Sequence, residues 1–279
     1  LTAWTARRPA YAPQKPCYLS PAAADLGAMG KTRQTVIGLA LAMAIIGAWA
    51  ALHVYAVFFL RLSWSTAWAI LPLAVIETWL GAGMFIVAHD AMHGSLAPGI
   101  PALNTWIGRL SLGLYAFFPY PKVAAKHYAH HRLSGRAGDP DFHAERPHAF
   151  WPWYARFFRQ YFGWPQLAAI FTVVVIYALI LHVQILNILL FWALPSIVSS
   201  LQLFTFGTWL PHRHKGEDFC DRHNARSLDY GWLLSLATSF HFGYHIEHHG
   251  SPQSPWWALP EVRARRLAKE AAARTLVCR

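Results

Sequence analysis

The chain of 279 residues is 55% hydrophobic and 15% aromatic, with only 13% charged residues and a formal net charge of +11. Soluble domains carry about 25% charged residues, so an ordinary soluble fold is excluded and an all-α integral membrane protein is expected. The basic residues flank apolar stretches rather than lining one soluble face, which argues against a nucleic-acid partner, and Cys17, Cys220 and Cys278 form neither a CxxC motif nor an even disulfide framework.

Residues 1–30, rich in Ala and Pro without an apolar period, read as a flexible N-terminal tail. Met29, just before the first apolar run, is the expected native start. A bilayer span takes about 20 mostly apolar residues. The first runs from Thr35 to Leu60 and the second from Ser65 to Ala88, close enough in sequence to form a hairpin. Residues 103–118 (LNTWIGRLSLGLYAFF) are interrupted by Arg109 and glycines and suit a re-entrant or interfacial segment. In WPWYARFFRQYFGW (151–164), aromatic residues mixed with Arg predict an interfacial helix. The apolar stretch from Leu167 to Leu210 is too long for one span and is broken by His182, Gln184 and Asn187. It predicts a second hairpin, with Pro195 kinking or adjusting the later helix. The basic segment VRARRLAKEAAAR (262–274) predicts a helix on the membrane surface or in solvent, without catalytic role.

Of the 24 Lys and Arg residues, only Arg61 falls in a hairpin tip. The positive-inside rule therefore places the tail, the 88–166 connector and the region after Leu210 in the cytoplasm. Twelve of the 16 histidines gather in four groups on that same side. His89 and His93 in AHDAMH are four apart, which puts both on one helix face. His127, His130 and His131 in KHYAHH share a face in the same way. His212, His214 and His223 are looser. In FHFGYHIEHH, His241, His245, His248 and His249 line one side if the segment is helical. One HxxxH is a weak signal; one HxxxH with two HxxHH on one membrane face is a strong one. Eight or more imidazoles exceed the four ligands of a structural zinc site and suit a metal pair. Imidazole accepts Zn, Cu, Fe or Ni, so ligand type leaves the metal open. Bis-histidine haem is disfavoured, because His53 and His182, nearest to the spans, lie towards the hairpin tips.

Asp90 and Asp139 are expected to orient imidazoles. Asp141 divides between that role and a cap or a salt bridge to Arg132 or Arg136. Glu77, inside the second span, predicts an interhelical hydrogen bond. The sequence holds no GxGxxG and no cysteine cluster, so electrons for any redox chemistry come from outside.

AHDAMHG (88–94), the HYAHH box leading into GDPDFH (138–143), FGTWLPHR (206–213), DRHNARS (221–227) and FHFGYHIEHH (240–249) occur in that order. Together they resemble the membrane fatty-acid desaturase and hydroxylase superfamily, and within it the bacterial β-carotene ketolases. The short carotenoid hydroxylases have similar boxes without the LPHR and DRHNARS context. The resemblance spans Ala88 to His249 and leaves out residues 1–30 and much of the C-terminal tail.

It implies a desaturase-like fold of two transmembrane hairpins, four spans in all, under a cytosolic histidine-rich cap. The catalytic domain would cover 31–260 and a basic tail 261–279. It implies two iron ions held by His89, His93, His127, His130, His131, His245, His248 and His249, with His212 as an additional ligand. His241 is either a tenth ligand or a donor to one. His223 is expected to be structural or to support a ligand, and His214 to face solvent. The implied reaction is ketolation of β-carotene, with zeaxanthin another candidate substrate. Two O2-dependent hydroxylations at C4 of a β-ionone ring and a dehydration give echinenone and canthaxanthin, with electrons from a ferredoxin-type donor. The protein would sit in the cytoplasmic membrane, with an apolar tunnel leading sideways to the irons. A carotenoid hydroxylase, a fatty-acyl desaturase or hydroxylase, and a zinc transporter with histidines along a path through the spans are the alternatives.

Overall fold

The computed structural model describes residues 30–214, 219 and 221–277. The tail over 1–29, its expected start at Met29 and all three cysteines lie outside the described residues. Helices make up all the regular structure among the described residues.

α1 covers Lys31–Val54 and runs on through a π-helical turn to Phe59. α2 covers Ala67–Met92. Both are apolar along their length because lipid replaces water around them. Val36, Met43, Leu71 and Val75 stay exposed on their outer faces. Their inner faces are close-packed against the rest of the protein. A Cβ on Gly38 would stand 2.0 Å from the Leu96 carbonyl oxygen, and one on Gly83 would stand 2.6 Å from the Phe240 ring. Within this pair Glu77 is buried, with Oε1 3.7 Å from His53 Nδ1 of α1. That is an interhelical ion-pair geometry where the sequence predicted a hydrogen bond.

α3 (Pro101–Ala116) is too short to cross a bilayer and lies along α2. Ser111 Oγ donates to the Met84 carbonyl at 2.7 Å and Asn104 Nδ2 to that of Ala91 at 2.7 Å. α4 (Tyr120–Leu133) follows. The aromatic α5 (Phe150–Tyr161) meets α6 at a bend of 80°. α6 covers Trp164–Val175 and continues as a π-helical turn to Ile180. α7 runs from Ile185 to His212. Among the described residues, three helices (α1 with its extension, α2 and α7) are long and apolar enough to cross a membrane, or four if the bent α5–α6 pair counts as one.

The polar break in the second apolar stretch is a turn between α6 and α7, with His182 at φ 53°. Asn187 explains its polarity: its Nδ2 donates to the carbonyls of Ala56 and Leu60 at 2.9 and 2.8 Å, capping the end of α1. Pro195 does not break α7. A π-helical turn over Leu189–Ala193 directly precedes it and absorbs the missing N–H and the ring clash.

After α7 come α8 (Trp232–Ser239), α9 (His245–Gly250) and α10 (Leu259–Val277). The predicted basic helix is present, and one side of it is fixed to the protein. α10 packs against α9.

Candidate metal centre

Nine imidazoles converge where the ends of α2, α4 and α7 meet α9, in two groups. The first holds His89, His93, His127, His131 and His248. The second holds His130, His212, His245 and His249. Within each group the ligand atoms lie within 4.8 Å of one another. In the first, Nε2 of His93 and His127 are 2.7 Å apart, His131 and His248 3.0 Å, and His89 and His248 3.2 Å. In the second, His249 Nε2 is 3.0 Å from that of His245 and 3.2 Å from that of His130. The His131 and His249 rings, 4.3 Å between centroids, join the two. Each of α4 and α9 serves both groups, since i, i+3 and i+4 positions fan across one helix face.

Several ring nitrogens are fixed as lone-pair donors. His212 Nδ1 donates to the Asn224 carbonyl at 2.8 Å, which leaves its buried Nε2 with a lone pair and no hydrogen-bond partner. His130 Nδ1 lies 3.0 Å from both oxygens of Asp139, which directs its Nε2 inwards. Lone pairs aimed at one another in a dry pocket repel, and a cation between them removes that cost. The donor set therefore fits a pair of metal ions, and the many buried histidines fit iron in number and type.

Burial also keeps the imidazoles neutral, the form that binds metal. It pulls His93 down to about 4. His127, His245, His248 and His249 are held far below the usual histidine range by burial and by neighbouring imidazoles of the cluster. His130 is the exception: burial lowers it, but the Asp139 carboxylate outweighs that and raises it. Asp139 is in turn held below the usual carboxylate range, because His130 and the backbone N–H groups of Asp141 and Gly135 outweigh its burial. A basic, oriented imidazole is a better ligand. Asp139→Asn is accordingly expected to weaken metal binding about 10–100-fold, read as metal retained per chain during dialysis against a chelator. Retention equal to that of the parent protein contradicts this role.

The family model for fatty acid desaturases matches residues 62–170 and 159–279. A beta-carotene ketolase from Paracoccus sp. (strain PC1) is 48% identical over 235 residues, covering 84% of this chain and 95% of that protein. A beta-carotene ketolase from Haematococcus lacustris is 34% identical over 253 residues, 81% of this chain and 78% of that protein. A zeaxanthin 4-ketolase from Chlamydomonas reinhardtii is 36% identical over 242 residues, 83% of this chain and 54% of that protein. The chain belongs to the fatty acid desaturase family.

Within this family member, the structure brings together His89, His93, His127, His130, His131, His212, His245, His248 and His249 and leaves His241 outside both groups. The helical strip predicted for FHFGYHIEHH does not form. α8 ends with Phe240 and His241 in the left-handed region, φ 49° and 61°, and α9 starts only at His245. His241 instead stacks on Tyr244, 5.7 Å away, and packs near Trp232 and Trp256. Asp90 Oδ1 is 3.6 Å from His89 Nδ1, beyond hydrogen-bond reach. Its Oδ2 accepts from the Trp256 N–H at 3.0 Å, so Asp90 ties the segment before α10 to the ligand helix.

Asp141 pairs with neither Arg132 nor Arg136. Tyr161 donates to it, its Oδ2 is 4.0 Å from His130 Nδ1, and burial raises its pKa to about 6. The His223 ring lies beside that of His249, tilted by 43° with 5.2 Å between centroids. The exposed His214 packs on Phe142.

The sequence reading missed the anchor of the last box. Glu247, 2% exposed, faces Arg266 at 2.8 Å and Arg263 at 3.6 Å from α10, and Ser227 donates to it. An acidic residue inside IEHH and arginines spaced three apart in RARR were its only traces.

A cavity of about 390 Å³ opens at the imidazoles, bordered there by His89, His127, His130 and His245. It follows one face of α7 through Thr208, Ser200, Ser196, Trp192 and Ile188 to Ile185. At 1.5 Å per residue, this stripe is about 35 Å long. Its other walls are mostly apolar and aromatic side chains of α3, α5 and α6.

Proposed function

We propose that this chain is a membrane di-iron oxygenase that introduces a 4-keto group on the β-ionone rings of β-carotene, giving echinenone and canthaxanthin. The observation that carries the reading is the long apolar cavity ending at two histidine groups, in a chain similar over most of its length to proteins named beta-carotene ketolase. A carotenoid is an apolar rod about as long as the 30 Å bilayer core, and a groove of about 35 Å along one helix accepts such a rod end-on. A zinc transporter needs ligands along a path across the spans, and these ligands gather at one end.

His89, His93, His127, His131 and His248 would hold one iron, and His130, His212, His245 and His249 the other. Bound iron supplies the oxidising power, drawn from O2, that no side chain has. The residues do the rest. The groove positions the ring with C4 at the imidazole end and keeps water away from the reacting carbon. Asp139 keeps His130 aimed. Each hydroxylation takes one O2, two electrons and two protons; one oxygen atom enters the C4–H bond and the other leaves as water. A second hydroxylation at the same carbon yields a geminal diol, which loses water to the ketone. The electrons come from an external acidic carrier of the ferredoxin class. The basic flanks favour a site on the cytosolic side of the cytoplasmic membrane.

Ser196 faces the middle of the groove. Ser196→Trp is expected to lower ketolation of β-carotene at least about tenfold by blocking the rod, with iron content maintained; undiminished product contradicts the proposed path. The reading as a whole is tested by expression in bacteria that make β-carotene. Echinenone and canthaxanthin in the pigment extract support it. An unchanged carotenoid profile with newly desaturated acyl chains points to the fatty-acyl rival and overturns it.

A further inference from the structure

Most of the nine grouped imidazoles are sealed: His89, His130, His212, His245, His248 and His249 are each at most 4% exposed. His223 lies outside both groups, yet its ring is 5.2 Å from that of His249, and the residue is only half-buried. It is thus one aromatic ring between a buried ligand and the surface. The surface around it is basic. Arg222 Nε donates to His223 Nε2 at 3.0 Å, and Arg136 Nη2 reaches the Arg222 carbonyl at 3.4 Å. Arg132, on the turn of α4 that carries His130 and His131, is exposed, as are Arg136 and Arg222. The adjacent Asp221 is taken up by its own loop, its carboxylate accepting from the N–H groups of His223 at 2.7 Å and Ala225 at 3.0 Å.

We infer that Arg132, Arg136 and Arg222 form the docking face for an acidic one-electron carrier, and that the His223 ring is the point where its electrons enter, by way of His249. The inference rests on the ketolase reading, which requires two electrons per hydroxylation from a donor the chain does not contain. Charge complementarity selects the partner class: an acidic protein is steered to a basic patch, whereas a basic one is repelled. Proximity selects the place, since electron transfer weakens steeply with distance and the neighbouring His223 and His249 rings, 5.2 Å between centroids, make the wall thin there. The carrier is oxidised by one electron at each visit, so two visits serve one O2.

The test uses the full-length protein in lipid nanodiscs and a [2Fe–2S] ferredoxin as the probe. Affinity is measured by fluorescence anisotropy, which reads binding whether or not iron is loaded. Wild-type affinity is expected to fall with added salt, and Arg132→Glu/Arg136→Glu/Arg222→Glu to bind at least about tenfold more weakly. Equal binding by wild type and the triple variant overturns the docking face. His223→Leu is read at saturating ferredoxin, as the ratio of ferredoxin-driven to dithionite-driven ketolation. A fall in that ratio of at least about fivefold supports electron entry at His223, and an unchanged ratio overturns it. If wild type makes keto-carotenoids in cells but binds no ferredoxin, the acidic-carrier face fails while the ketolase reading stands. If it makes none, the ketolase reading fails first and the docking face falls with it.

Discussion

Replacing His131 or His248 by Ala is expected to abolish ketolation, with product falling more than about 100-fold, beyond the loss typical for residues that merely support a ligand. Both imidazoles sit in the first group, 3.0 Å apart at Nε2, and the His131 ring also packs 4.3 Å from that of His249 in the second. Truncating either leaves a gap that no neighbouring side chain fills. The polypeptide should still accumulate in the membrane, because the long spans are held by lipid and by packing remote from the imidazoles. Immunoblotting of membranes, pigment chromatography and iron per chain read the three quantities separately. Full keto-carotenoid production by either variant contradicts the ligand assignment.

The second large effect concerns α10. Arg263→Ala/Arg266→Ala leaves the carboxylate of Glu247, 2% exposed, without its charge partners. Breaking a buried ion pair from one side costs about 3–5 kcal/mol. α9 carries Glu247 together with His245, His248 and His249, so the loss should appear as a lower thermal midpoint and as early iron release. Removing both partners is less harmful than removing one. Glu247→Leu/Arg263→Leu/Arg266→Met is therefore expected to recover a substantial part of the midpoint. A double-Ala variant as stable as the parent, or a triple variant no better than the double, contradicts the clasp.

How much of this was legible in the sequence depends on how local each cause is. The apolar runs located α1, α2 and the α6–α7 hairpin, because a membrane span is a property of one continuous segment. The spacing in AHDAMH and KHYAHH placed those imidazoles, because both lie on unbroken helix or at its end. The same logic failed at His241. There the chain leaves the helix through two left-handed residues, and the His241 N–H bonds the Ser235 carbonyl at 2.9 Å. No periodicity in FHFGYHIEHH announces that break. The clasp was hidden for a different reason. Arg263 and Arg266 look like a solvated helix face, and only the path of the chain between α9 and α10 turns them onto Glu247. His212 stood on the LPHR context, and its place in the second group depends on the Asn224 carbonyl, twelve residues away. Pro195 marked a backbone adjustment correctly but not its form, since the π-helical turn lies on the residues before it.

The most direct measurement is the mass spectrum of the carotenoid made by the purified protein from β-carotene, with reduced ferredoxin, under dioxygen labelled with heavy oxygen. On the proposed route both hydroxyls of the geminal diol derive from O2, so loss of either as water leaves a labelled ketone. The account predicts canthaxanthin and echinenone carrying heavy oxygen at C4. Keto-carotenoid with unlabelled oxygen, or β-carotene recovered unchanged from protein with iron in both histidine groups, would contradict it.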